Sequence, residues 1–328
     1  MAPAQDALPL ISVFGSLNID QVAYVPHFPQ PGETLTATST ALSPGGKGAN
    51  QAVACAKLSR ARPAPGADAS ASASAAVRMT GAVGADAHGA LLRANLARHG
   101  VDAGGVRTAD GAATGAAFIT VEEPTGENHI VLAPGANHAV TAADAEAALD
   151  GADLLVMQLE VPLAAVEAAA AGAARRGVPV LLNPAPAVPL PEGVLAGLAH
   201  LVLNETEAAV LAPCAASELD TAEGLGDVAR GFVGRGVGHV VITLGGRGVY
   251  YSAAGGGEGL VLAEEAKVVD TTAAGDTFVG QYALEVVAAR GGAFDIEAAV
   301  RKANRAAAKT VERKGAQDSI PWRDELGW

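Results

Sequence analysis

Cysteine is scarce in this sequence of 328 residues. The two cysteines, Cys55 and Cys214, lie far apart and form no CxxC pair. This argues against a disulfide framework and against a cysteine-ligated metal site, and it fits a reducing compartment. The seven histidines are scattered without an HExxH or HxxxH spacing, so no zinc site is expected.

A surplus of basic residues and long apolar runs are lacking as well. Lys and Arg number 22 against 35 Asp and Glu, and the net charge of -13 argues against nucleic acid as a partner. No stretch approaches the roughly 18 uninterrupted apolar residues of a membrane span, so no membrane partner is expected. Residues 1–9 contain Asp6 and no basic segment before an apolar core, which predicts a cytoplasmic protein.

Common nucleotide and hydrolase motifs are also missing. The sequence contains no GxGxxG and no GxSxG, and Lys47 is followed by Gly48 where a Walker A loop has Ser or Thr. A dinucleotide fingerprint and a P-loop are therefore not expected.

Short apolar runs alternate with helical patterns along the chain. The runs predict buried strands over residues 10–14, 77–79, 154–157, 178–182, 200–203 and 239–243. The helical patterns cover residues 86–99, 163–176, 205–211 and 221–235. This alternation predicts an α/β protein with a Rossmann-like, mainly parallel sheet covered by helices on both faces. Such a sheet binds ligands beyond the carboxyl ends of its strands.

Two kinds of segment depart from this alternation. Residues 18–44 and 108–133 contain short β-type runs separated by turns, and we expect them to form a small β-sheet lid. Residues 59–76 are rich in Ala, Ser, Pro and Gly with almost nothing to bury, which predicts a mobile surface insertion.

A glycine-rich segment, GGKGAN at residues 45–50, leads into a helical pattern over residues 51–58. Its glycines permit a backbone to approach a ligand closely, while Lys47 and Asn50 supply polar groups at a helix start. A turn followed by a helix cap explains the segment equally well.

The segment TTAAGD at residues 271–276 follows a β-type run at 267–269 and precedes a helical pattern over 277–289. Free amides at a helix N-terminus, among small residues, can hold a transferring phosphoryl group. Asp276 beside such an anion hole is well placed to accept a proton from an attacking hydroxyl. The alternative is a simple helix cap, since Asp is a common N-cap residue.

Polar side chains follow several predicted strands. Asn18 and Asp20 follow the first strand and Glu160 follows the strand at 154–157, where amides and carboxylates suit the adjacent hydroxyls of a sugar. The segments NETE at 204–207 and TLGGRG at 243–248 lie where a nucleotide would sit. Each segment is also typical of an ordinary turn, cap or hairpin.

Together these segments resemble the ribokinase-like (PfkB) carbohydrate kinase family, and in particular its ribokinase branch. The matching segments run in order along nearly the whole chain: GSLNID (15–20), FPQPGET (28–34), GGKGANQAV (45–53), GEN (126–128), GAN (135–137), LLNPAPA (181–187), NETEA (204–208), TLGGRG (243–248), DTTAAGDTF (270–278) and RKGAQDSIPW (313–322). The AAGD segment marks the family, whereas NPAPA, GGKGANQ and RKGAQ point to the branch. The resemblance implies one ribokinase-like α/β domain over residues 1–328.

The resemblance also implies a reaction, which is ATP-dependent phosphorylation of D-ribose at its 5-hydroxyl. Asp276 would be the general base, and the amides of Ala273, Ala274 and Gly275 would form the anion hole. The pentose site would be lined by Asn18, Asp20, Gly46, Lys47, Asn50, Glu160 and Asp276. ATP would be held by Asn204, Thr243, Gly245, Gly248, Gly275 and Asn304, while Glu207 would help to position Mg²⁺ through water.

The resemblance further implies a K⁺ ion near the anion hole and a homodimer joined through the lid. The positions that match the cation site are Asp270, Thr272, Thr310, Arg313, Gly315 and Ser319. Ordinary loops flanking helices are the alternative for these positions. The insertion at 59–76 falls after the helix that bears Asn50 and is expected to leave the site intact.

Other functions stay open. A kinase for another pentose such as deoxyribose, or for a nucleoside such as adenosine, would keep the chemistry and change the acceptor. The family's nucleoside kinases need aromatic or bulky apolar lid contacts, and the candidate lid has few aromatics beyond Tyr24, Phe28 and Phe118, which favours a free sugar. A catalytically silent sugar-binding protein would be expected to lose the base or the anion-hole glycine, whereas Asp276 and Gly275 are both present.

Overall fold

The structure, a computed structural model, describes residues 7–64, 72–212 and 214–328. Its strands are β1 (Leu10–Phe14), β2 (Asn18–Val25), β3 (Ser39–Gly45), β4 (Ala76–Gly84), β5 (Asp102–Ala109), β6 (Gly115–Glu122), β7 (Asn128–Ala133), β8 (Leu154–Met157), β9 (Val180–Leu182), β10 (His200–Asn204), β11 (His239–Thr243), β12 (Val249–Ala253) and β13 (Glu258–Val261). Its α-helices are α1 (Lys47–Leu58), α2 (Ala87–Arg98), α3 (Ala142–Ala148), α4 (Leu163–Arg176), α5 (Glu192–Leu195), α6 (Glu205–Leu211), α7 (Ala222–Gly234), α8 (Ala274–Ala288) and α9 (Ile296–Thr310).

The main sheet has nine strands in the order β13-β12-β11-β10-β9-β8-β1-β4-β5. Every neighbouring pair from β11 to β5 is parallel, whereas β12 and β13 add to one edge in antiparallel pairs. The parallel strands end together: Phe14 lies beside Met157, and Asn204 lies beside Thr243. The predicted α/β fold with a mainly parallel sheet is confirmed.

Alternate side chains of each central strand pack into two hydrophobic clusters on opposite faces of the sheet. In β8, Leu154 and Val156 join the cluster that contains residues of α1, α8 and α9. Leu155 and Met157 join the cluster that contains residues of α3, α4 and α7. Because helices cover both faces, a central strand is apolar at nearly every position, and this produces the short apolar runs seen in the sequence.

The predicted bounds of β1, β8, β11, α4 and α6 agree with the structure to the residue, but three other local predictions were wrong. Residues 267–269 form no strand, because the amide of Val269 donates to the carbonyl of Val311 instead of to a neighbouring strand. α1 begins at Lys47 and not at residue 51, and α8 begins at Ala274 and not at residue 277. Glycines in both first turns are poor helix formers, so the sequence pattern starts late.

A second, smaller sheet has the strand order β3-β2-β6-β7. β2 pairs with β6 in parallel and with β3 in antiparallel fashion, and β6 pairs with β7 in antiparallel fashion. Its base is buried at Ile19, whereas all residues of β7 are exposed. This small sheet therefore projects from the molecule, and Asn18 and Asp20 lie where it joins the main sheet. None of the helices within the described ranges has the length and apolar character needed to cross a membrane.

The ends of the segment at 59–76 are packed into the molecule. Ser59, Arg60 and Ala75 are buried, and the amide of Ser74 donates to the carbonyl of Ser59 at 3.0 Å. The prediction that this segment has almost nothing to bury was therefore wrong at both ends, because they continue the packing of α1 and β4. Residues 65–71, the middle of the predicted mobile insertion, lie outside the described residues.

Candidate active site

The glycine-rich segment at 45–50 brings the start of α1 against the end of β1. Gly46 is the N-cap residue of α1 and has φ +86°, a conformation that favours glycine. A Cβ atom on Gly46 would lie 2.6 Å from the backbone nitrogen of Asn18, and one on Gly48 would lie 2.6 Å from that of Ser16. The glycines are therefore required by close backbone approach at the helix start.

Glu160, in the loop that follows β8, lies against this helix start. Its Oε2 accepts hydrogen bonds from Ser16 Oγ at 2.6 Å, from the backbone amide of Lys47 at 3.0 Å and from Asn18 Nδ2 at 3.4 Å. A carboxylate at a helix N-terminus is favoured by the helix dipole. The structure thus brings together Asn18, Lys47 and Glu160, three of the predicted sugar-site residues.

A cavity of about 150 Å³ opens beside this group. Its polar wall contains Asn18, Glu160 and Asn137, and Leu132 and Pro186 contribute apolar wall. Asn137 accepts from the amide of Leu17 at 2.9 Å and donates to Asn18 Oδ1 at 2.7 Å, which fixes the Asn18 side chain. A small cavity with oriented amides and a carboxylate suits a polyhydroxylated ligand.

Asp20 and Lys47 give the site its electrostatic character. Burial, together with the nearby carboxylates of Glu160 and Asp276, raises the pKa of Asp20 to about 7. Burial opposes the charge of Lys47, but the carboxylates of Asp276, Glu160 and Glu207 raise the pKa of its ammonium group. Lys47 is therefore a cation near three acidic groups, which belong to α8, α6 and the loop after β8.

Asp276 lies in the first turn of α8 with only 8% of its surface exposed. Its Oδ2 accepts from Asn50 Nδ2 at 3.0 Å and its Oδ1 accepts from Gln51 Nε2 at 3.0 Å. The N-cap residue of α8 is Ala273, with φ +60°. The helix-cap explanation of Asp276 was therefore wrong, because its carboxylate binds side chains of α1.

The first turn of α8 is the place where the sequence predicts an anion hole. Helix geometry leaves the amides of a first turn without carbonyl partners inside the helix. A Cβ atom on Gly275 would meet no atom within 4 Å, so the space beside its Cα atom is open to a ligand. Of the three predicted donors, the amide of Ala274 already donates to the carbonyl of Thr271 at 3.2 Å, which leaves Ala273 and Gly275 as the better candidates.

The predicted nucleotide residues follow β10 and β11. Asn204 and Glu207 form a reciprocal cap on α6, in which Asn204 Oδ1 accepts from the amide of Glu207 and Glu207 Oε2 accepts from that of Asn204, each at 2.8 Å. The ordinary cap expected as the alternative is therefore present. Burial raises the pKa of the Glu207 carboxyl. Thr243 lies beside Asn204 at the same edge of the sheet.

The turn between β11 and β12 explains two further glycines. Gly245 has φ +55° and Gly248 has φ +104°, and a Cβ atom on Gly248 would overlap the carbonyl oxygen of Val261. The conformation of the turn thus favours glycine at both positions. Asn304 on α9 donates to the carbonyl of Leu262 at 2.8 Å, beyond the end of β13.

The segments that match a monovalent cation site are joined through Asp270. Its Oδ1 accepts from the amide of Thr272 and its Oδ2 accepts from that of Gly315, each at 2.9 Å. The amide of Asp270 also donates to the carbonyl of Val311 at 3.2 Å. The loop before α8 and the loop after α9 are therefore adjacent.

Three further residues that match the cation site use their side chains in other hydrogen bonds. Thr310 and Ser319 are buried, and their hydroxyls already donate to backbone carbonyls or to Thr277. Arg313 donates to Glu325 at 2.6 Å. These residues could therefore offer backbone carbonyl oxygens, a neutral donor set that suits a large monovalent cation and fits the implied K⁺.

Binding of a divalent metal ion would depend on the phosphates of the nucleotide. Among the described residues, no group of three or more His, Cys, Asp or Glu side chains is placed to hold a metal ion. Mg²⁺ usually binds through one or two carboxylates together with phosphates and waters. One oxygen of the Glu207 carboxylate accepts a hydrogen bond in the cap of α6, and the other fits such a limited role.

Four further polar residues of the site were not singled out from the sequence. Ser16 and Asn137 orient Glu160 and Asn18, while Gln51 and Gln317 belong to the network around Asp276. Each lies inside or next to a matching motif, which is the only signal the sequence offered. Their partners are distant in the sequence, so spacing did not reveal them.

Comparison with known proteins gives a consistent result. Residues 8–323 match the pfkB family of carbohydrate kinases. The chain is 42% identical over 317 residues to a ribokinase of Schizosaccharomyces pombe, across 95% of this chain and 94% of that protein. It is 34% identical over 315 residues to a deoxyribokinase of Salmonella typhi, across 95% of each. The fold resembles that of Arabidopsis thaliana ribokinase complexed with ribose and ATP, with a TM-score of 0.84, 31% identity, and coverage of 98% of this chain and 97% of that chain.

Proposed function

Since the chain belongs to the pfkB family of carbohydrate kinases, we propose that it is an ATP-dependent kinase that phosphorylates D-ribose at the 5-hydroxyl. One observation carries this proposal. Asp276 is held by Asn50 and Gln51 in the first turn of α8, beside helix amides and next to the open space around Gly275. A fixed carboxylate next to an anion hole is the arrangement that phosphoryl transfer requires.

Asp276 accepts the proton of the sugar hydroxyl as the oxygen attacks phosphorus. The side-chain amides of Asn50 and Gln51 hold both oxygens of the Asp276 carboxylate, so the base does not have to reorient during the reaction. The amides of Ala273 and Gly275 stabilise the charge on the transferring group, and the positive end of the α8 dipole adds to this. Lys47, a cation among acidic groups, offsets the negative charge that collects when substrates bind.

The sugar binds in the cavity near Asn18 and Glu160. Its hydroxyls donate to the carboxylates of Asp20 and Glu160 and exchange hydrogen bonds with the amides of Asn18 and Asn50. Ser16 and Asn137 hold Glu160 and Asn18 in place before the sugar arrives, which lowers the cost of ordering the site. The backbone at Gly46 lets this wall approach the ligand closely.

ATP supplies the phosphoryl group and binds along the edge of the sheet formed by the ends of β10 and β11. Asn204, Thr243, Gly245, Gly248, Gly275 and Asn304 would line its site. Mg²⁺, positioned near Glu207, would neutralise phosphate charge. K⁺, held by Asp270, Thr272, Thr310, Arg313, Gly315 and Ser319, would fix the loop that presents the Ala273 to Gly275 amides.

The small sheet supports a lid function and a homodimer. Leu42, Phe118 and Val131 lie in one cross-strand row on the same face of it and expose between 48% and 66% of their surfaces, an apolar patch that a second copy of the sheet would cover. Sedimentation of the chain at twice its mass of 32.5 kDa would support this pairing, and a monomer at micromolar concentration would exclude it. The proposed compartment is the cytoplasm, which fits the two free cysteines.

A pentose without the 2-hydroxyl is the main competing acceptor, because a deoxyribokinase is also a relative. A nucleoside is less favoured, since Phe28, one of the few aromatic residues of the lid, is already stacked on His129 at 3.9 Å. A catalytically silent sugar-binding protein on this fold would bind ribose without releasing ADP.

The test is ADP release with Mg-ATP over a panel of D-ribose, 2-deoxyribose, fructose and adenosine. We expect D-ribose to give the highest kcat/KM, and ³¹P NMR to locate the phosphate on carbon 5. A higher kcat/KM with deoxyribose or adenosine would replace the proposed acceptor. Absence of ADP release with every acceptor would reject the kinase function.

A further inference from the structure

A chain of buried side-chain amides runs from α2 to Asp276. Arg98 Nη2 donates to Asn95 Oδ1 at 2.5 Å, and Asn95 Nδ2 donates to Gln317 Oε1 at 2.5 Å. Gln317 Nε2 donates to Asn50 Oδ1 at 3.0 Å, and Asn50 Nδ2 donates to Asp276 Oδ2 at 3.0 Å. The chain thus links α2, the segment after α9, α1 and α8.

Every bond in this chain is donated in the direction of Asp276. An amide side chain has an acceptor at one end and donors at the other, so its neighbours decide which way it is turned. The two ends allow one direction only, because a guanidinium can only donate and a carboxylate can only accept. Arg98 therefore orients Asn95, Asn95 orients Gln317, and Gln317 orients Asn50.

The three amide side chains of this chain are buried, so a wrongly turned amide would lose a hydrogen bond. Asn95, Gln317 and Asn50 expose 5%, 3% and 6% of their surfaces, so water does not readily replace a missing partner. If the Asn50 amide turned over, its Oδ1 would face Asp276 Oδ2 without a proton between them. The carboxylate would then lose one of its two donors and gain a repulsive contact.

We propose that Asn95 and Gln317 are positioning residues of the phosphoryl-transfer site, which transmit the orientation set by Arg98 to the Asn50 amide that holds Asp276. This inference rests on the proposed function, because it treats Asp276 as the base. Neither residue lines the sugar cavity. Their effect on turnover passes through Asn50.

The test uses Asn95→Asp, which keeps the size of the side chain and places its charge beside Arg98. One oxygen of Asp at position 95 still accepts from Arg98, but the other now faces Gln317 as an acceptor. Gln317 must turn to donate to it, and Asn50 must turn in response. We expect kcat to fall at least tenfold, with a melting temperature close to that of the wild type.

Two comparisons separate positioning from simple packing. Ala90→Asp puts the same charge on the exposed face of α2, two turns away from Arg98, and should leave kcat unchanged. Gln317→Met breaks the chain without reversing it, so it should lower kcat less than Asn95→Asp does while lowering the melting temperature more. A packing role predicts the opposite order of kcat losses, and either that order or wild-type turnover in Asn95→Asp would overturn the proposal.

Failure of the proposed function would be recognised separately. If the wild type prefers another acceptor, the same variants are compared with that acceptor. If it phosphorylates none, ¹⁵N NMR of the side-chain amides decides: the Asn50 signal should move in Asn95→Asp and stay in place in Ala90→Asp. An unmoved Asn50 signal in Asn95→Asp would refute the chain whatever the substrate is.

Discussion

The carboxylate of Asp276 accepts two side-chain hydrogen bonds, and both donors lie in α1. Asn50 and Gln51 are neighbours in the sequence, and their side chains meet the two oxygens of one carboxylate at 3.0 Å each. The start of α8 is made instead by Ala273 in the left-handed region, at φ +60°. A strained N-cap residue, at a cost of about 1 kcal/mol, frees the aspartate for chemistry.

Asp276→Asn keeps the size of the side chain but removes its ability to accept a proton. We expect kcat for ribose phosphorylation to fall on the order of 10² to 10⁴-fold, while calorimetry should find ribose affinity largely preserved. Asp295→Asn is the matched control, because Asp295 caps α9 with an exposed carboxylate and Asn is an equally good cap. Wild-type turnover in Asp276→Asn would remove Asp276 from the mechanism.

At the scale of elements, the loops around α8 and α9 decide where the first turn of α8 points. Asp270 bonds to Thr272 in its own loop and to Gly315 in the loop after α9. This single carboxylate therefore ties together the two segments proposed for the cation. A bound cation would strengthen the same connection and would not touch either substrate.

Potassium should raise the turnover of ribose above the rate measured in sodium or tetramethylammonium salts at equal ionic strength. The physical reason is preorganisation, since a fixed loop holds the Ala273 and Gly275 amides at the position where charge develops. Asp270→Asn should lower turnover and weaken the preference for potassium. Equal rates in all three salts would exclude a cation site in these loops.

At the scale of the whole molecule, the main sheet has a reactive end and a stabilising end. Asn204 lies at the carboxyl end of β10, whereas His200 begins the same strand at the other end. His200 stacks on His239, and its Nδ1 lies 3.0 Å from the hydroxyl of Tyr282. Burial, reinforced by His239, lowers the pKa of His200 to about 3.

This lowered pKa makes stability depend on pH. The unfolded chain binds a proton at His200 below about pH 6.5, whereas the folded chain does not until about pH 3. The contribution is thus present at neutral pH and is lost as the pH falls, by about 2 kcal/mol between pH 7.5 and pH 5. Chemical denaturation at both pH values should show a correspondingly smaller loss for His200→Gln.

His138→Gln serves as the control for this comparison, since His138 is exposed. Its loss of stability between pH 7.5 and pH 5 should match that of the wild type. An equal loss in His200→Gln would mean that His200 is not the group responsible.

The sequence by itself determined the elements whose signals are local. Apolar runs indicated β1, β8 and β11, because strands buried on both faces are apolar at most of their positions. The end of the strand at 154–157 predicted Glu160 as a site residue, and the matching motifs predicted Asn50 and Asp276. They did so because family motifs preserve the types of residues and their order, and both are read directly along the chain.

Only the tertiary structure decided which of these residues meet and what holds them. Asn50 and Asp276 are separated by 226 positions, and Gln317 lies 267 positions from Asn50. The parallel pairing of β2 with β6 likewise joins strands that are far apart in the chain. Hydrogen bonds between buried amides depend on close distance and on the direction of each donor, and the spacing of residues along a chain records neither.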